Sequence, residues 1–254
     1  MRYLLPLLLL VGCGGKSVKS VADAHRAAAA AKLAKISELA PVVEKQPLLT
    51  QDSLSLPEGV RLDYRPFREG YNSDMSRSPN PEYNTAIAFE HQLAKPSTAE
   101  SLYWQSGGKD LFLLSGLDHC DQWLIEPACV VETGMGRNGS EPVVSLLEEG
   151  FSWLERTKYL LVLRLRTRQP PGLVMEELKA GEMKTFSGGR IAGDAVLYEI
   201  DTARFLGGIT VEGRSDENVE VRKGSVHSQL QLKLAANAEA EIRKKMEQVG
   251  DPPR

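Results

Sequence analysis

The chain has 254 residues, 42% hydrophobic and 26% charged, values that suit one or two globular domains and speak against wholesale disorder. A formal net charge of −3 argues against a dedicated nucleic-acid binder, so no nucleic acid is expected among its partners. Only one short apolar run occurs, at the extreme N-terminus, which excludes a multi-span membrane protein.

That run comes first. Residues 1–13 read MRYLLPLLLLVGC, with Arg2 as a minimal positive n-region and Leu4 to Val11 as an apolar h-region. It falls well short of the roughly 20 apolar residues a spanning helix needs, and it has the layout of an export signal. Its end, Leu10-Val11-Gly12-Cys13, resembles the lipobox of bacterial lipoproteins. The resemblance implies cleavage between Gly12 and Cys13, a diacylglyceryl group on the Cys13 thiol, and usually a further acyl chain such as palmitate on the new amine. Gly14 stands where an aspartate would be that family's inner-membrane retention signal. The implied location is therefore the outer membrane, facing the periplasm, with the membrane as one partner through the lipid. An ordinary secretory signal cleaved elsewhere is the competing expectation.

Residues 13–45 then form a lipid anchor and a basic, Ala-rich helical tether. Val18, Val21, Ala28, Ile36, Leu39 and Val43 recur at helical spacing, and Pro41 is expected to kink or end the helix near Ala40. The tether either lifts the domain off the membrane or lays its basic residues on anionic headgroups. Residues 46–110 are a Pro-rich irregular segment with interspersed aromatics, which either wraps the core or orders against a partner. One helix is expected inside it, starting at Asn80-Pro81 and burying Ile87 and Leu93.

An α+β domain is expected over residues 111–249, followed by a disordered tail at 250–254. LFLLSGL (111–117) and ACVVET (128–133) read as buried strands, Pro142 to Thr157 as a helix with Val143, Leu147, Phe151 and Leu154 on one face. In YLLVLRLRTR, Leu161, Leu163 and Leu165 point inward. Arg164, Arg166 and Arg168 point outward, across from Glu199, Asp201 and Glu212 as paired, solvated charges. Residues 195–201 and 205–214 read as a hairpin and 219–222 as a short edge strand. The final helix, Val226 to Val249, carries Leu230, Leu234, Ala238, Ile242 and Met246 four apart. The fold class is α+β: an antiparallel or mixed sheet with helices packed on one face, preceded by the N-terminal tether.

With Cys13 assigned to lipid, Cys120 and Cys129 remain, and an even pair in an oxidising compartment is most simply a disulfide. Closing so short a loop contributes about 2–3 kcal/mol in the chain-entropy account. A metal site from His119, Cys120, Asp121 and Cys129 is disfavoured, because three adjacent residues cannot easily turn toward one ion; neither metal nor cofactor is expected.

The sharpest catalytic-looking signal is Gly134-Met135-Gly136-Arg137-Asn138-Gly139, between an expected strand and an expected helix. That is the context of a dinucleotide-binding loop, in which glycines let the backbone approach a pyrophosphate held at a helix N-terminus, and Arg164 or Arg166 could meet a 2′-phosphate. Ser140 and Pro142 look like the true helix start, however, and repeated βαβ units are missing, so Gly134, Gly136 and Gly139 read more simply as turn residues. From residue 142 to 246 the pattern is weakly similar to periplasmic adaptor and assembly lipoproteins of the penicillin-binding-protein activator and curli-secretion kind. The resemblance implies a non-catalytic interaction or scaffold role with an envelope protein partner. The alternative is an enzyme binding a nucleotide or small ligand at the Gly134–Gly139 loop.

Overall fold

The computed structural model describes residues 16–58, 60–62, 84–98, 124–136, 139–169, 172–173, 184–215, 218–219 and 226–249. In chain order these form α1 (Val18–Lys45), β1 (Thr85–Phe89), α2 (Glu90–Leu93), a 3₁₀ turn (Pro96–Thr98), α3 (Glu126–Thr133) and α4 (Val144–Arg156). There follow β2 (Tyr159–Gln169), β3 (Gly172–Leu173), β4 (Lys184–Ser187), β5 (Arg190–Glu199), β6 (Arg204–Arg214), β7 (Asn218–Val219) and α5 (Val226–Val249). The main sheet has the order β1-β2-β5-β6; β1 runs parallel to β2, and the other two pairings are antiparallel. The fold is thus α+β with a mixed sheet. The strand β7 expected as an edge of that sheet pairs instead with β4, in a separate small sheet of order β3-β4-β7.

Helices cover both faces of the main sheet rather than one. Leu160 and Val162 of β2 and Val196 and Tyr198 of β5 point into a cluster built with α1, α3 and α4. Their neighbours Leu161, Leu163, Leu165, Ala195 and Leu197 point the opposite way, with Ile209 and Val211 of β6, against Leu234, Ala238, Ile242 and Met246 of α5. A strand covered on both sides is apolar at nearly every position, which explains why YLLVL and AVLYE have so few polar interruptions.

α1 belongs to this packing and is no solvated tether. Ser17 and Ser20 cap its start reciprocally, each side chain accepting the other's backbone N–H. Val21, Ala22, Ala29, Ile36, Leu39 and Val43 are all buried. The helix also runs through Pro41 to Lys45. Proline costs a hydrogen bond there, but burial of Val43 beyond it, and the use of the last-turn carbonyls by Gln46 N–H and by a buried arginine described below, hold the final turn. Four of the basic residues of this N-terminal region are engaged within the protein: Lys16 with Glu148, Arg26 with the Val131 carbonyl, and Lys32 and Lys35 with Asp201 in the β5–β6 turn.

Two further expectations change. ACVVET lies in α3, where Pro127 occupies the first turn, Ala128, Cys129 and Val130 are buried, and Gly134 ends the helix in the left-handed region (φ 76°). The paired valines suggested a strand, but the proline and the glycine cap are helix signals. Ile87 lies in the strand β1 and not in a helix; Asn80 and Pro81 lie outside the described residues, and of the described part of that expected helix only the turn α2 is helical. LFLLSGL lies outside the described residues. The strap 47–57 runs along the free side of β6, with Ser53 N–H donating to Gly208 O at 2.8 Å. Gly207 (φ 100°) makes this possible, since a Cβ there would overlap the Ser53 carbonyl.

The hydrogen bond from Lys35 holds the Asp201 carboxyl below the usual aspartate range, with Lys32 adding to it against the smaller effect of burial. A depressed carboxyl stabilises the fold above its unfolded-state pKa, and that contribution disappears as pH falls through the folded value. Asp201→Asn should therefore cost about 0.5 kcal/mol at pH 7, given the exposure of the pair. Urea midpoints of wild type and variant should converge as the pH falls below about 4, and a gap that persisted in acid would contradict this.

Candidate functional site

The Gly134–Gly139 loop joins two helices, α3 and α4, so the strand-to-helix context of a dinucleotide loop is absent. The backbone N–H groups of its described residues are turned inward. Gly134 donates to Val130 O, Met135 to Thr133 Oγ1, Gly136 to Ser140 O and Gly139 to Gly136 O. Gly134 and Gly139 supply positive φ, and Gly136 sits where a Cβ would overlap the Glu126 carboxylate. The glycines at 134, 136 and 139 are therefore turn and close-packing residues, as the simpler reading had it. Arg137 and Asn138 lie outside the described residues.

Beside the loop, where α3 meets the start of α4, is a groove of about 280 Å³. Pro142, Val143, Leu146 and Leu147 supply its apolar part, Glu126, Ser140 and Glu141 its polar part. Among the described residues two carboxylates and no cation line it, a lining that disfavours a phosphate and suits an apolar occupant. Val143, expected on the buried face of its helix, is 61% exposed at the N-cap of α4, and Met135 is 43% exposed. The spacing that assigns Val143 to the buried face does not register that it precedes the first helical residue, Val144, and Met135 lies in no periodic run.

The two arginines that the alternative reading offers to a ligand are both engaged within the protein. Arg166 falls in a β-bulge between Leu165 and Thr167 and forms a two-pronged pair with Glu90 at 2.6 and 2.8 Å. Arg164 is fully buried, opposite Asp194 in the strand register rather than across from Glu199, Asp201 or Glu212. All five guanidinium N–H groups have acceptors. Nε and Nη2 bind Asp194 Oδ1 and Oδ2 at 2.7 and 2.5 Å, Nη1 binds Val43 O and Gln46 O, and Nη2 also binds Pro47 O. Asp194 Oδ2 in addition accepts Leu49 N–H at 2.8 Å. This is a structural clamp with no donor left for a ligand. The remaining charges have local partners too: Glu199 with Arg204, and Glu212 with Arg190 and Arg214. The side chain of Arg168 lies outside the described residues.

Cys13 and Cys120 also lie outside the described residues. Cys129 is buried on α3, its Sγ 3.2 Å from Ser97 O. Among the described residues no group of three or more His, Cys, Asp or Glu side chains could hold a metal ion. His25 stacks on Phe151 at 5.3 Å and meets Glu155 Oε1 through Nδ1 at 2.8 Å, bracing α1 against α4.

Removing one partner of the clamp strands a buried charge, so Asp194→Ala should cost about 3–5 kcal/mol in urea denaturation. Tyr198 gives the internal contrast. It is fully buried, its phenol is pushed up by burial, and its hydroxyl has no hydrogen-bond partner among the described residues. Tyr198→Phe should be neutral or stabilising. A large loss at Tyr198 with none at Asp194 would invert this account.

No protein-family model, curated protein or solved structure matches the chain.

Proposed function

We propose that this protein is a lipid-anchored cell-envelope lipoprotein whose α+β domain is a non-catalytic interaction or scaffold module, held at the outer membrane and facing the periplasm. The observation that carries the reading is the sequence Leu10-Val11-Gly12-Cys13 directly after the apolar run Leu4 to Val11. Each buried methylene contributes about 0.8 kcal/mol, so two or three acyl chains on Cys13 hold the protein firmly where one would not. Among the described residues no helix is long and apolar enough to cross a membrane. The interaction role is supported by the region around the candidate groove, where, among the described residues, the loop N–H groups turn inward and no set of catalytic side chains converges.

Replacing the anchor residue tests the reading. Cys13→Ser should abolish labelling by radioactive palmitate and move the protein from the membrane to the soluble fraction. Unchanged fractionation and labelling would refute lipidation. The bridge between Cys120 and Cys129 belongs to the same proposal, since it requires an oxidising compartment. Non-reducing peptide mapping should recover the two cysteines in one linked fragment, and two alkylatable thiols would overturn it.

A further inference from the structure

We propose that the end of the domain where α1 and α4 both begin rests on the bilayer, with Val143 at the apolar point of contact; this rests on acylation at Cys13. The first support is the length of chain between the anchor and the folded domain. The α1 cap is at Ser17, only four residues beyond Cys13, so the extended link spans about 14 Å at most. Because α1 is packed into the core, it cannot act as a stalk, and the domain stays as close to the membrane as that link allows.

The second support is the relative direction of two helices. Contacts between α1 and the α4 region advance in step: Lys16 with Glu148, His25 with Glu155, and Lys32 Nζ with Thr157 O. The helices are therefore parallel, and the start of α4 lies at the same end as the lipid. Val143 precedes Glu148 by five residues, about 7.5 Å of helix rise, so it lies toward the end of the domain at which α1 begins. It has the highest relative exposure, 61%, of the exposed large hydrophobic side chains described. Charge does not set the contact, since Lys16 and Lys19 are opposed there by Glu141 and Glu148. Burial of apolar surface at the headgroup boundary does.

The helix itself supplies the controls. Leu48 is 46% exposed and lies just beyond the opposite end of α1, whose 28 residues are about 42 Å long. Ala31 is exposed halfway along. Full-length acylated protein carrying a photoreactive diazirine leucine analogue at position 143, 48 or 31 would be placed in phosphatidylcholine vesicles, irradiated, and its lipid adducts counted by mass spectrometry. Adducts at 143 should exceed those at 48 and at 31 at least tenfold. Equal yields at 143 and 48 would overturn the orientation, and matching yields at 143 and 31 would mean that α1 lies along the membrane, which also overturns it. An intact mass without acyl groups would overturn the lipoprotein reading and this inference together.

Discussion

The buried ion pair between Arg164 and Asp194 is the constraint on which the arrangement of layers depends. It joins neighbouring strands β2 and β5 at the centre of the sheet. Through Val43, Gln46 and Pro47 it also grips the end of α1 and the start of the strap. Taking two charges out of water is expensive, and a buried pair is seldom more stabilising than apolar residues of the same volume. What it supplies here is selectivity. Five donors in a planar fork meet acceptors on three separate segments only when α1 ends at one height above the sheet and the chain leaves it in one direction. A hydrophobic contact would tolerate sliding by a turn, whereas this one does not.

That clamp accounts for the role of α1. A helix so near the N-terminus and rich in alanine reads naturally as a spacer, yet its apolar stripe is one wall of the core. Its lysines reach across to the turn between β5 and β6. The strap that follows continues the same logic on the outer side of β6. There Asp52 accepts from Thr210 N–H and Lys245 reaches both, tying strap, sheet and α5 together. Burial pushes the Asp52 carboxyl up, but these donors outweigh it and leave it below the ordinary aspartate range. Any surface the protein offers a partner is therefore held on a stiff frame.

Where a helix or strand has one apolar face, its sequence is easy to read. α5 announces itself through Leu234, Ala238, Ile242 and Met246, α4 through Leu147, Phe151 and Leu154, and the β5–β6 hairpin through its turn. Difficulty arises where cover on both sides removes the contrast. In β2 the alternation of leucine and arginine imitates a half-exposed strand, although Arg164 is as buried as its leucine neighbours and only the bulge lets Arg166 out. A hint was present in the sequence: Asp194, in the otherwise apolar middle of β5, needs a cation opposite it if it is buried. In α3 the β-branched pair Val130-Val131 outweighed Pro127 and Gly134 as a signal. β1 is short and flanked by helix-forming residues, so its parallel pairing with β2 is a long-range fact that local spacing does not encode. The glycine loop was legible as a turn, but the inward direction of its N–H groups depends on Ser140 and Val130, which only the folded chain brings into place.

The wide separation in sequence between α1 and what covers it has a consequence for biogenesis. Val43 and Arg164 are 121 positions apart, and Lys35 and Asp201 are 166 apart. α1 is thus the first described element to leave the ribosome and one of the last to find its partners. Its greasy stripe of Val21, Ile36, Leu39 and Val43 stays uncovered through much of synthesis. A nascent chain of this kind is a natural client for holdase chaperones, and its maturation is paced by arrival of the distant hairpin rather than by the helix itself.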